Sequence, residues 1–100
     1  MPKFSIPKPL EFEWDSYNKE KNWVKHQVDY KECEQAFKNT PIILFEDLKH
    51  SYLEFRYTLF GKTDDRRLIT ITFTVRNNSI RVISARDQNK KERSEYAKEK

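Results

Sequence analysis

Few side chains in this chain could do chemistry. There are two histidines, His26 and His50, and one cysteine, Cys33. The histidines lack the spacing of metal ligands and no acidic cluster accompanies them, so metal-dependent hydrolysis has no evident ligand set. A lone thiol can build neither an internal disulfide nor a thiolate metal cage, and Cys33 falls on the apolar stripe of a helical segment, as a small core residue does. No metal and no cofactor are therefore expected. The cations are better placed. Arg56, Arg76, Arg81 and Arg86 lie on or beside segments that alternate apolar and polar residues, Lys25 adjoins His26, and Arg93 precedes Tyr96 by about one helical turn. A guanidinium grips oxyanions in pairs, an imidazole titrates near neutral pH, and hydroxyls and rings complete a surface suited to a nucleic-acid backbone.

The elements that would hold these groups follow from periodicity. "LEFEW" alternates through Leu10, Phe12 and Trp14 as a short strand. Asp15 can cap a helix over roughly 16–26, with Tyr17 and Val24 on one stripe and Trp23 beside it. "DYKE" has capping-box spacing from Asp29 to Glu32 and opens a second helix that Pro41 helps to stop. The period then changes to two. "PIILFED" is a β-rich run, and "SYLEFRYTLFGK" alternates Phe55, Tyr57 and Leu59 against Arg56, Thr58 and Phe60. "RRLITITFTVR" sets Ile69, Ile71, Phe73 and Val75 against Thr70, Thr72, Thr74 and Arg76. "NNS" at 77–79 signals a tight hairpin turn, "IRVISAR" is a last strand, and 88–98 is a charged helix. Gly61, the only glycine, marks a place where the backbone requires it.

The expected fold is α+β, an antiparallel sheet with helices packed on one face, in the order β-α-α-β-β-β-β-α. Residues 1–10 hold three of the four prolines and read as an extended arm before a single domain over 11–100. The open face carries Thr70, Thr72, Thr74 and Arg76, with Arg56, Thr58 and Phe60 beside them; such a face is either merely solvated or a phosphate-backbone surface. Arg81 and Arg86 are five apart, which in a regular strand points them to opposite faces. Arg86, at the strand end, is preferred for function.

Composition sets the limits. One hundred residues with 36% hydrophobic and 36% charged side chains make a lean core under a charged surface, and 14% aromatics argue against disorder. The net charge of +4 suits a polyanion or an acidic partner protein. The start of the chain lacks the apolar run of a signal peptide, and no stretch resembles a membrane span, so a soluble cytoplasmic protein without a membrane partner is expected.

The segments "FEWD" (12–15), Asn22 with "KH" (25–26) and Val28, "RYTLFG" (56–61), "TDDRRL" (63–68), "IRVISAR" (80–86) and "ERSEY" (92–96) occur in the order of one family. The chain resembles the BrnT toxins of bacterial type II toxin–antitoxin modules, which have a RelE-like ribonuclease fold. It departs from the family pattern at Gln27 and at Asp65, where the family usually has glycine. The resemblance implies an endoribonuclease silenced by a BrnA-like ribbon-helix-helix antitoxin. It implies contact with operator DNA only through that antitoxin, in a complex that represses its own operon.

Under that implication the expected chemistry is metal-independent. The RNA 2′-hydroxyl attacks the neighbouring phosphate, leaving a 2′,3′-cyclic phosphate, with general acid–base help and cations at the phosphorane. The expected catalytic residues are His26, Arg56, Arg86 and Tyr96, with Lys25, Arg76, Arg81 and Arg93 binding RNA. Each has a plainer reading beside it. His26 ends a helix whose dipole favours its charged form, the arginines can form surface ion pairs, and Tyr96 can anchor an amphipathic helix. The alternative function is a non-catalytic RNA- or protein-binding module on the same scaffold.

Overall fold

The expected element order holds in the structure, a computed structural model that describes residues 11–47 and 55–99. The arm expected over 1–10 and His50 lie outside the described residues. The elements are β1 (Glu11–Phe12), α1 (Ser16–His26), α2 (Tyr30–Lys38), β2 (Ile43–Glu46), β3 (Tyr57–Lys62), β4 (Leu68–Arg76), β5 (Ser79–Asp87) and α3 (Lys90–Ala97). They form an α+β fold around one five-stranded sheet ordered β1-β5-β4-β3-β2. Its pairings are antiparallel except that β1 runs parallel to β5.

Local chemistry explains the element limits. Each helix opens on a reciprocal capping box, Asp15 with Asn18, Asp29 with Glu32 and Asn89 with Glu92, which satisfies amide donors that a helix start leaves bare. Between β4 and β5, Asn77 and Asn78 take φ of 49° and 65°, the left-handed pair that a two-residue hairpin turn needs. α1 ends on Gln27, whose φ of 59° and ψ of 34° are left-handed, so the turn normally given to glycine is made here by a side-chain-bearing residue. In the turn before β4 the positive φ falls on Arg66 and not on Asp65.

The core lies between α2 and one sheet face. Cys33, Ala36 and Phe37 of α2 meet Leu59, Ile69, Ile71 and Phe73, with Ile80, Val82 and Ala85 of β5 completing it. Burying each large side chain contributes roughly 1.5–3 kcal/mol. Gly61 sits where a Cβ would lie 2.9 Å from the Ala36 carbonyl oxygen, so its bare backbone lets α2 approach β3. The Cys33 thiol is pushed up to about 12 by burial, and then by Glu32, which leaves it an inert core group.

Three features differ from the sequence expectation. First, α1 does not bury its Tyr17/Val24 stripe: those side chains are 70% and 74% exposed, and the buried residues are Asn18 and Asn22. The cause is the short β1, which pairs only with Ser79 and Ile80. Beyond it α1 covers the β5 edge with polar groups: the Asn18 amide donates to the Val82 carbonyl, the Lys21 amine to the Ile83 carbonyl, and the Ala85 N–H donates to Asn22 Oδ1 at 3.0 Å. Second, β5 carries a bulge. Phe73 pairs with Val82 but Thr72 with Ser84, so Ile83 is an extra residue. Arg81, paired with Thr74, therefore shares a face with Arg86, paired with Thr70, and the two do not point to opposite faces as expected. Third, Phe60 is buried, not an exposed ring. It packs edge-on against Phe45, on the side of the sheet where α3 crosses. Tyr96 is the buried residue of α3.

Candidate active site

The face away from the α2 core is built in cross-strand rows. Phe45, Thr58, Thr72 and Ser84 form one row, and Ile43, Phe60, Thr70 and Arg86 the next. α3 covers one end of this surface and leaves a cleft of about 400 Å³ at the other, lined by Phe45, Asp47, Arg56, Thr58, Thr70, Thr72, Ile83, Ser84, Arg86 and Glu92. The expected polar face is thus present and concave. Arg56 and Arg86, distant in the chain, both line it. Arg56 is placed by the start of β3, where its carbonyl accepts the Asp47 N–H at 2.7 Å.

Arg86 is fixed by Glu92. Nη1 donates to Oε1 at 2.7 Å and Nη2 to Oε2 at 3.0 Å. The hydrogen bonds it donates to Glu92 hold the guanidinium pKa above its ordinary value. At Glu92 itself, burial pushes the pKa up. Arg86, the Asn89 amide and Thr70 outweigh burial and leave the carboxyl below its usual range. The cleft therefore holds a permanent cation beside an ionised carboxylate.

His26 is half-buried at the last turn of α1 and does not line the cleft. It stands near the β5 end: Arg67 joins the two, donating from Nη2 to the His26 carbonyl at 3.1 Å and from Nε to Asp87 Oδ1 at 2.7 Å. Burial, then the charges of Lys25 and Arg86, lower the imidazole pKa, with Asp87 opposing. The neutral form is favoured, against the expectation from the helix dipole, because burial and neighbouring cations outweigh the carbonyl ends.

The remaining candidates lie elsewhere. Tyr96 is buried and its hydroxyl donates to the Pro41 carbonyl at 2.7 Å, tying α3 to the start of β2 outside the cleft. Arg81 reaches over the β5 edge to Glu13 and Asp15. Lys25 is exposed on α1, Arg76 is exposed at the hairpin end, and the exposed Arg93 donates to the Gln88 carbonyl. Sequence reasoning missed Asp47, Ser84 and Glu92 in the cleft, and Arg67 beside it. Glu92 had a signal, since it stands three residues after Asn89 as a capping-box acid does. The rest depend on register.

Among the described residues no helix is long and apolar enough to cross a membrane, and no group of three or more His, Cys, Asp or Glu side chains could hold a metal ion. The profile of a family described as "Ribonuclease toxin, BrnT, of type II toxin-antitoxin system" matches residues 14–92. Among solved structures, the 1.1 Å crystal structure of the Brucella abortus ribonuclease toxin, BrnT, is similar, with a TM-score of 0.61 and 19% identity. The match covers 81% of this chain and 99% of that one; at that identity it speaks for the fold. A comparison with curated proteins found no match.

Proposed function

The chain belongs to the BrnT family of ribonuclease toxins of type II toxin–antitoxin systems, and from that premise we propose that it is a metal-independent endoribonuclease working in the open-face cleft. One observation carries this reading: Arg56 and Arg86 line one cleft together with the hydroxyl-bearing Thr58, Thr70, Thr72 and Ser84. Guanidinium donors there can grip the oxygens of a phosphodiester and of its phosphorane. The RNA supplies its own nucleophile. The 2′-oxygen bonds to phosphorus, the bond from phosphorus to the 5′-oxygen breaks, and one proton moves from the 2′-hydroxyl to the leaving oxygen. His26, whose neutral form is favoured, stands outside the cleft lining near the β5 end, so in this reading it carries that proton through a bridging water. Tyr96 anchors α3 in this reading. Lys25, Arg76 and Arg93, exposed outside the cleft, and Arg81, held by Glu13 and Asp15, are weaker backbone contacts in this reading.

The test is cleavage of a single-stranded RNA by the purified protein in EDTA. The expected products end in 2′,3′-cyclic phosphate and 5′-hydroxyl, and Arg86→Ala is expected to lower the rate by about 10²–10³-fold, as loss of an oxyanion-stabilising donor does. Cleavage abolished by EDTA, or 3′-hydroxyl products, would overturn the mechanism. We further propose a BrnA-like ribbon-helix-helix antitoxin as partner, operator DNA being reached only through it, and the cytoplasm as the site of action. Tyr17, Trp23 and Val24, exposed on α1, support a protein partner. They also support the second reading, a non-catalytic binding module, which predicts that overexpression of the unmutated chain leaves growth unharmed.

A further inference from the structure

Two arginines near the β5 end use their donors differently. Arg67 has none left: Nε and Nη2 reach Asp87, Nη2 also the His26 carbonyl, and Nη1 the Gln27 carbonyl and Glu32. That guanidinium is a staple. Arg86 gives the end of its guanidinium, Nη1 and Nη2, to Glu92, and Nη1 also donates to the Asp87 carbonyl at 3.2 Å. Among the described residues no protein acceptor takes the Nε hydrogen or the second Nη2 hydrogen. These two form the side edge of the guanidinium, which can grip two phosphate oxygens at once.

We propose that Glu92 is the positioning residue for Arg86, clamping one end of the guanidinium so that its Nε–Nη2 edge is presented to an RNA phosphate in the cleft. The inference rests on the reading of the cleft as a phosphate site. The clamp is itself anchored, because Glu92 Oε1 accepts from Thr70 Oγ1 at 3.0 Å and from the Asn89 N–H at 2.9 Å. Its side chain is 15% exposed against 38% for Arg86, so the carboxylate is the buried, fixed partner and the guanidinium faces the cleft. A carboxylate serving instead as a plug, to be displaced by substrate, would have to break the α3 capping box and its Thr70 bond in every turnover. Phosphate can reach the side edge without that.

Glu92→Gln tests the clamp, since Gln keeps an acceptor for Asn89 and Thr70 but puts an amide against one Arg86 nitrogen. Three measurements are compared with wild type: melting temperature, affinity for a fully 2′-O-methylated RNA oligonucleotide, and single-turnover cleavage of the unmodified RNA in EDTA. The melting temperature is expected to stay close to wild type. Affinity is expected to hold or tighten, because a negative charge leaves the cleft. Cleavage is expected to fall by about 10²-fold, the scale of a small misplacement of a catalytic group. Cleavage at the wild-type rate or faster, as a plug requires, overturns the proposal. So does a parallel fall in melting temperature and affinity that accounts for the lost rate, as a purely structural role requires. Should that variant not fold, Thr70→Val removes one anchor and keeps the charge, with an expected loss of about tenfold for one hydrogen bond; an unchanged rate there overturns the clamp equally. If wild type does not cleave in EDTA, or Arg86→Ala cleaves normally, the phosphate reading itself fails and takes the clamp with it. A failed clamp with Arg86 essential leaves that reading standing.

Discussion

At Gln27 a Cβ-bearing residue occupies the left-handed region, φ 59° and ψ 34°, which costs about 1 kcal/mol that glycine does not incur. The side chain recovers part of this by donating from Nε2 to the Trp23 carbonyl at 3.1 Å, an exposed bond. Gln27→Gly is therefore expected to stabilise the protein by about 0.5–1 kcal/mol, read as a higher urea midpoint; a lower midpoint would mean the side-chain bond dominates. One residue earlier, His26 has a pKa lowered from 6.5 by burial, then by Lys25 and Arg86. The unfolded chain therefore binds the proton more readily than the folded one. The stability His26 confers is complete above pH 6.5 and is lost as pH falls below it, until the folded-state imidazole also protonates. With His26 as the proposed proton carrier, the same shift is expected to place the acid limb of cleavage below the ordinary imidazole value. In a pH–rate profile that limb is expected to vanish in His26→Gln, and a limb that survives would assign the proton to another group.

Between elements, the decisive joint is α1 on the β5 edge. Asn22 Oδ1 accepts the buried Ala85 N–H at 3.0 Å while its Nδ2 donates to the Asn18 carbonyl at 3.0 Å. Asn22→Leu fits the space in volume but strands the buried Ala85 N–H, with an expected cost of about 2 kcal/mol. Urea unfolding measures it, and faster exchange of the Ala85 amide should accompany it; a neutral variant would mean water replaces the asparagine. The Asp15 cap, the Asp29–Glu32 capping box, the Asn77–Asn78 turn and the Ile69, Ile71, Phe73 alternation were legible because each is written within a few neighbouring residues. The inward asparagines of α1 were not, since a helix that seals a strand edge needs polar groups where a helix on a sheet face needs apolar ones. The bulge at Ile83 was hidden too, as nothing local to "VISAR" states which partner each residue takes. That one extra residue moved Arg81 onto the face of Arg86, and the Glu13 and Asp15 carboxylates then held it away from the cleft.

Over the whole molecule the charge is +4, yet the cleft is balanced, Arg56 and Arg86 facing Asp47 and Glu92. Long-range attraction of RNA must then come from cations outside it, Lys25 on α1 and Lys90, Lys91 and Arg93 on α3 among them. Contact within the cleft is a separate quantity, and salt separates the two. Each phosphate neutralised on a single strand contributes about 0.7 to the fall of log affinity with log salt. The two proposed arginine contacts would set a slope of about −1.4, and outlying cations that also touch the backbone would steepen it. Arg86→Ala is expected to lower the slope by about 0.7 whatever the RNA sequence, because a phosphate contact carries no base information. Lys25→Ala, outside the cleft, should change the slope less and leave the single-turnover rate at saturating protein unaltered. The measurement is a titration of the 2′-O-methylated oligonucleotide across a salt series. A slope indifferent to Arg86 would mean that its charge is fully absorbed by Glu92 and never meets a phosphate. The cleft would then be a polar hollow between two ion pairs, and the search for the RNA path would move to the lysines of α1.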